Sequence, residues 1–468
     1  MHRTVALGLG ALATQLVWAN YNAYLPLLYG RVTASNTLIG LIMVLDNAVA
    51  ITLGPYVAAL SDRTWTRWGR RTPFLVAGMP LTALGLALVA RTTSFGALLA
   101  VTVAMNLGLA LSAGPLVALM PDVTPEERRA RANGLITALA GCGALVAFFV
   151  LAPASRGRPL LPFDAGALVV LGALAVILAT IREPRDAIDR VRIAADRAAA
   201  TPGRIAGPQD AVPRPSGSSG RATAGPGTAP GRLQAVRRPP GTRASPGGAQ
   251  PACQRARWLP GVIVREAVAA CTRPVVLLGV LGLCAVAAVN GVQNMFTRYG
   301  VYRLGLDPAG AATLLGFFVL PFIAGAAPAG LAGDRLGRLR LLRLGLAGTL
   351  AAFLLAQGVR GPAPFAAVLL LGGLAWAVFL VNAYPVLLQV IPPGHVGLFS
   401  GLWGATSALG GLLAPPIYGW VVDRWGFDAF FLPGIVFMAV AVACSLALRV
   451  APPPSSTRAP GLRDGRSC

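Results

Sequence analysis

The chain has 468 residues, of which 55% are hydrophobic and 12% charged. Soluble domains carry about 25% charged residues, so this composition excludes an ordinary water-soluble enzyme and points to a membrane protein. The net charge is +23 and all 40 basic residues are arginine. The placement of those arginines says more about the protein than their total does.

A helix needs about 20 apolar residues to cross a bilayer core about 30 Å thick. In chain order, segments of that kind fall at about 4–28, 35–60, 73–91, 95–119, 131–152 and 165–182, and again at about 274–297, 309–331, 341–359, 364–389, 396–420 and 428–449. The first is too long for a signal peptide and lacks a clean cleavage site, so it reads as a retained span. Glycine and proline inside the spans, as in "GLLAPPIYG", are tolerated where neighbouring helices satisfy the freed backbone groups. Between spans 6 and 7, residues 183–270 are rich in Pro, Gly, Ala, Ser and Arg and lack the apolar side chains to fold alone. The expected organisation is therefore 1–182 as one six-helix bundle, 183–270 as a disordered linker, 271–450 as a second bundle and 451–468 as a tail. The fold class is an all-α membrane protein of twelve transmembrane helices in two related bundles.

With the N-terminus inside, 32 arginines fall on the inner side and 8 on the outer; dropping the linker leaves 16 against 8. Cytoplasmic loops carry such an excess, so both termini and the linker are expected in the cytoplasm, with the protein in the plasma (inner) membrane. The arginines then face anionic lipid. Nucleic acid fits poorly, because the linker lacks interleaved aromatic residues. Cysteines 142, 253, 271, 284, 444 and 468 form no CxxC pair, and His2 and His395 are the only histidines. No metal set, nucleophile–base pair or phosphate loop is visible, so neither an enzyme nor a cofactor is expected.

The halves repeat. "LSDRTWTRWGRR" follows span 2 and "LAGDRLGRLRLL" follows span 8, pairing Asp62-Arg63 with Asp334-Arg335 and Gly69-Arg70 with Gly337-Arg338. A second echo sets "PDVTPEERRARANGL" beside "QVIPPGHVGLFSGL", with Gly134 and Gly401 in equivalent places. Repeated six-span halves indicate a transporter whose site lies between them near mid-membrane.

The stretch "GPYVAALSDRTWTRWGRRTPF" resembles the cytoplasmic loop motif of the major facilitator superfamily, in the extended form of sucrose–proton symporters and glycoside–pentoside–hexuronide cation symporters. "ALMPDVTPEERRARANG" is similar to the same branch. The resemblance implies alternating access and a gate motif comprising Gly54, Asp62, Arg63, Gly69, Arg70, Arg71, Arg131, Asp334, Arg335, Gly337 and Arg338. Asp62 is expected to meet the start of span 11 near His395–Val396. Asp334 is expected to meet the start of span 5 near Arg128, Arg129 and Arg131. The simpler reading is that the cluster only fixes topology.

The resemblance also implies that spans 1, 4, 7 and 10 line the cavity. Those spans carry Gln15, Trp18 and Asn22 on one helical face, then Asn106, then Asn290, Gln293, Asn294 and Thr297, then Trp376, Asn382 and Tyr384. Amides and aromatic rings suit a neutral polyhydroxylated ligand. Alternatively they bond one another across helices.

Asp46 is the one carboxylate well inside an apolar span, with Asn47 beside it. A single carboxylate can carry a proton, whereas tight sodium binding asks for more oxygens. Asp46 is therefore the first candidate for coupling to H+, against a quiet structural pairing. The resemblance places the carboxylates of sodium-using members of the glycoside–cation group at Ala50, Gly54 and Gly114 here, which weighs against sodium. Asp122 matches a charged position of sucrose symporters and is the second proton candidate, or else a cap for the helix at "TPEERRA". The expected activity is proton-coupled symport of a sugar or glycoside by a monomer. The alternatives are an exporter of drugs or amphipathic compounds and a non-transporting sensor or scaffold.

Overall fold

The computed structural model describes residues 2–64, 66, 68–124, 126–181, 183, 272–391 and 396–448. The remainder of the 183–270 segment, the 451–468 tail and His395 lie outside the described residues. The expected contact of Asp62 with the start of span 11 falls there too.

The described chain is helical, apart from an isolated bridge between Thr66 and Gly69. Helices run as α1 His2–Tyr29, α2 Asn36–Met43, α3 Leu45–Arg63, α4 Thr72–Val89, α5 Phe95–Val123, α6 Arg129–Val146 and α7 Leu161–Thr180. After the segment outside the described residues come α8 Arg273–Tyr302, α9 Pro308–Leu336, α10 Arg338–Gly358, α11 Pro362–Val390, α12 Val396–Trp425 and α13 Leu432–Ala447. Among the described residues, eleven helical segments are long and apolar enough to cross a membrane, with α2 and α3 counted as one. The 28-residue α1 makes the twelfth by length. Gln15, Asn20 and Asn22 lower its apolar content. The protein is thus a multi-pass membrane protein.

Several helices overrun the apolar spans read from sequence. At 1.5 Å per residue, α5, α8, α9, α11 and α12 reach about 43–45 Å, the bilayer plus its headgroup layers. Large apolar side chains on the outer faces of the helices, such as Val117 of α5, Leu168 of α7, Leu331 of α9 and Leu446 of α13, stay exposed. In water such a surface would be unfavourable; against lipid it is the expected exterior.

Two spans depart from straight helices. Span 2 breaks at Val44, and α3 restarts with Asp46 in its first turn. The Asp46 carboxylate takes the Asn47 backbone N–H at 2.5 Å, a side-chain bond that competes with the helical ladder. Span 5 closes in a π-helical turn, Ala147–Leu151, which turns Phe148 and Phe149 toward α9.

The helix pairings repeat between the halves. In the first, α1 packs on α6 and α7, α4 on α5 and α7, and α3 on α5. In the second, α8 packs on α12 and α13, α10 on α11 and α13, and α9 on α11. Each pairing has its counterpart at the same place in the other half, so the sequence echo is a structural repeat. Across the halves α2 packs on α12 and the end of α6 on α9, again a related pair, while α1 meets α8.

Candidate functional site

Between the halves lies a cavity of about 280 Å³. Gln15, Trp18 and Asn22 line it from α1, so the face predicted from their spacing is the face that points inward. Gln293 of α8 and Trp376 of α11 complete the polar side. The opposite wall is apolar: Leu315, Phe318, Val319 and Phe322 of α9, with Phe148 from the π turn. None of the lining residues is charged. The Asn22 side-chain oxygen Oδ1 is buried and accepts no hydrogen bond among the described residues.

The other predicted polar residues have different surroundings. Asn382 is fully buried and its amide donates to Ala329 O at 3.3 Å and Val378 O at 2.9 Å. Tyr384 shares a 2.9 Å hydrogen bond with Ser400, from α11 to α12. Asn290 and Asn294 donate back along α8, to Val286 O at 3.2 Å and Asn290 O at 2.9 Å. Thr297 is buried with an unpartnered hydroxyl. Asn290, Asn294 and Asn382 thus bond to helix backbone and Tyr384 to Ser400, and sequence spacing alone could not separate them from the set lining this cavity.

Asp46 is buried, and Oδ1 accepts both the Asn47 backbone N–H and its amide, the latter at 2.9 Å. No arginine pairs with Asp46 among the described residues. The Tyr21 hydroxyl lies within electrostatic reach of Asp46 and beside the Asn106 amide. Neither the hydroxyl nor the amide has a well-formed hydrogen bond. The Tyr21 ring in turn packs edge-on to Trp18, with centroids 5.7 Å apart. Tyr21 thus stands between Asp46 and the cavity residue Trp18 electrostatically, with no hydrogen bond to Asp46. On its other side, Asn47 and Asn290 approach the same point on α12, Gly411. Asn290 stands one helical turn from Gln293 in the cavity.

Asp122 has a different environment. It lies at the arginine-rich end of α5, where both its oxygens accept from Arg70 Nη2 at 2.8 Å and one accepts from Arg71 Nε at 3.3 Å. Arg71 also pairs with Asp62 and donates to Ser61. Among the described residues the Asp122 carboxylate accepts only from Arg70 and Arg71. It belongs to the loop network, far in chemical character from the unpaired Asp46.

The same network contains a residue that the motif did not reveal. Glu183, just past α7, accepts the backbone N–H groups of Arg70, Arg71 at 2.7 Å and Thr72 at 2.9 Å, and the Thr72 hydroxyl at 3.1 Å. It fills the start of α4, where unsatisfied donors and the helix dipole favour an anion. Gly69 makes this possible. Its φ is +112°, and a Cβ there would collide with the Glu183 carboxylate. The equivalent Gly337, φ +94°, turns the chain from α9 into α10. In that second copy Asp334 pairs with Arg338 at 2.5 Å. Among the described residues it makes no ion pair with Arg128, Arg129 or Arg131. Arg63, Arg131 and Arg335 are exposed, and Gly54 would meet nothing if given a side chain.

The cavity is sealed on the face away from the arginine-rich loops. Gly40 of α2 rests on Pro415 of α12, Gly419 of α12 on Asn36 of α2, and Phe149 stacks edge-on to Phe317 at 5.3 Å. Toward the arginine-rich face, Gly54, Gly134, Gly401 and Gly404 have no neighbour within 4 Å of a Cβ position.

Two repeated helix sets around a closed-ended, uncharged cavity define a membrane transporter. The sequence agrees with the architecture: the Major Facilitator Superfamily model matches residues 7–314 and again 278–467, and the chain belongs to that superfamily. It is accordingly a secondary transporter, with no enzymatic chemistry and no resident cofactor. Among curated proteins no significant match is found. Solved structures share the fold at low identity. The nucleoside transporter NupG is 11% identical, with TM-score 0.64 over 96% of this chain and 98% of that one. A bacterial homologue of the human lysosomal transporter Spinster, inward-facing and occupied, is 14% identical, with TM-score 0.63 over 96% and 95%. The D-xylose–proton symporter is 13% identical, with TM-score 0.62 over 96% of each chain.

Proposed function

We propose that the protein is a proton-coupled symporter of a neutral polyhydroxylated solute, a sugar or glycoside, of the sucrose–proton and glycoside–cation branch. The observation that carries this reading is the cavity wall of Gln15, Asn22 and Gln293 beside Trp18 and Trp376, with no charged residue in the lining. Amides offer paired donors and acceptors to vicinal hydroxyls, and indole faces pack against sugar C–H groups. A charged solute would meet no counter-charge there.

Asp46 is the proton carrier in this account. It is buried, has no arginine partner among the described residues and lies within electrostatic reach of Tyr21, whose ring packs on the cavity residue Trp18. A change in its charge alters the field at Tyr21 and hence the seat of Trp18, which supplies the coupling free energy that symport requires. The arginine-rich face is cytoplasmic by the positive-inside rule, in the inner membrane, and the cavity as seen opens toward it. The motif arginines brace the loop between α3 and α4 on that face.

The apolar wall of Leu315, Phe318, Val319 and Phe322 favours a second reading, export of an amphipathic compound. Uptake of labelled mono- and disaccharides into proteoliposomes, with and without an inward proton gradient, separates the two. Gradient-driven accumulation of a sugar, lost in Asp46→Asn, is the expected result. Absence of uptake for every neutral sugar, together with drug efflux, would replace symport by export.

A further inference from the structure

On the extracellular face two carboxylates of the second bundle reach the first: Asp307, whose exposed side chain pairs with Arg156 at 3.4 Å, and Asp423, which is held by several groups at once. Asp423, in the last turn of α12, accepts the backbone N–H of Asn36 and of Thr37, each at 2.8 Å. It also accepts the Asn36 amide at 2.8 Å, the Thr37 hydroxyl at 2.6 Å and the Ser35 hydroxyl at 3.2 Å. These groups form the start of α2, whose free donors and dipole favour an anion. Arg298 of α8 comes from the same bundle. It is 4% exposed, its Nε donates to Asn36 Oδ1 at 2.9 Å, Nη1 donates to Pro26 O at 3.2 Å, and its guanidinium lies 5.0 Å from the centre of the Tyr302 ring. Asn36 is thus held from both sides, its oxygen by a cation and its nitrogen by an anion.

We propose that Asp423 and Arg298 form the extracellular latch of the transport cycle, closing the outer face by gripping the first turn of α2 and releasing it when the transporter opens outward. The construction fits a contact made to be broken. The third donor of the turn, Leu38 N, is taken by Ser35 of α2's own bundle at 3.2 Å. When the bundles part, α2 therefore keeps a cap, and water replaces Asp423 at the two remaining donors. Beneath the latch, the backbones at Gly40–Pro415 and Gly419–Asn36 come too close to admit a side chain, so the seal is tight only while the latch is engaged. The motif network on the cytoplasmic face differs in kind. Its described ion pairs, Arg70–Asp122, Arg71–Asp122 and Arg71–Asp62, lie within one bundle. Asp423 and Arg298 are therefore positioning residues that set the balance between inward-open and outward-open states.

The test needs neither solute nor gradient, so it can fail or succeed independently of the sugar reading. Spin labels at Arg158→Cys and Arg360→Cys, exposed outer-face positions on opposite bundles, report the gap in a background without native cysteines. The parent should give one compact distance. Asp423→Asn and Arg298→Gln should raise the long-distance population by about tenfold or more. Asn36→Ala removes the side chain that bonds both Asp423 and Arg298 and leaves Ser35 on Leu38 N, so it should open the face with α2 still capped. If Asp423→Asn does not fold, Asn36→Ala and Thr37→Val carry the same measurement. Unchanged distances in the variants that fold would overturn the latch.

Discussion

Asp122→Asn separates a structural carboxylate from a proton carrier. In the protein Asp122 accepts two bonds from Arg70 Nη2 at 2.8 Å and one from Arg71 Nε at 3.3 Å, with 27% of its side chain exposed. A hydrogen bond to a charged group contributes about 1.5–3 kcal/mol when buried, and partial exposure reduces this. The asparagine keeps one acceptor but turns an amide N–H toward a guanidinium. Arg71 retains Asp62 and Ser61, so its charge is not stranded. The net loss is about 2 kcal/mol, which for a bundle of this size lowers the melting temperature by about 4–8 °C. Thermal unfolding of the purified protein in detergent reads that shift. Gradient-driven uptake and gradient-independent counterflow, measured together below the transition, should keep the parent's ratio. Asp46→Asn should do the reverse, sparing the melting temperature and counterflow while abolishing accumulation. An Asp122→Asn protein of unchanged stability that exchanged solute but no longer accumulated it would refute this division of roles.

Gly69→Ala should be more damaging than its size suggests. It places a Cβ at φ +112° and against Glu183, so a loss of at least about 2 kcal/mol in thermal stability is expected. Glu183→Gln should also destabilise, by about 1–2 kcal/mol, because it removes the anion shared by the backbone N–H groups of Arg70, Arg71 and Thr72 at the entry to α4. Gln293→Ala and Gln15→Ala should each weaken solute binding by about fivefold, the value of one neutral hydrogen bond, in a calorimetric titration. Asn382→Ala should leave solute affinity within about twofold and show its effect in stability instead, since its amide bonds Ala329 and Val378 outside the cavity.

The spans and the repeat were legible because membrane burial writes itself into long apolar runs, and because Asp-Arg and Gly-Arg pairs recur at matching places in both halves. Cavity residues on α1 were legible for a similar reason: Gln15, Trp18 and Asn22 are polar groups at helical spacing in an otherwise apolar segment. On α8 and α11 the same argument gathers residues with differing surroundings. Asn290, Asn294 and Asn382 have equally polar side chains, but theirs bond to helix backbone, and composition does not record which way a helix is rotated. The break at Val44 and the π turn at Ala147–Leu151 left no proline to mark them. Glu183 and Asp423 were hidden because their partners are backbone N–H groups, which no sequence motif displays. Arg298 stood in plain view as a cation near the end of an apolar span. Its meaning depended on Asn36 and Pro26, more than 260 residues away in the chain.

The most direct test of the account is electrical. Proteoliposomes adsorbed to a solid-supported membrane, given a jump in neutral sugar at equal pH, should pass a transient positive current in the direction of solute movement, and Asp46→Asn liposomes should bind the sugar but pass none. A current of equal size in Asp46→Asn, or no current from any neutral sugar that the protein binds, would contradict proton-coupled symport through this site.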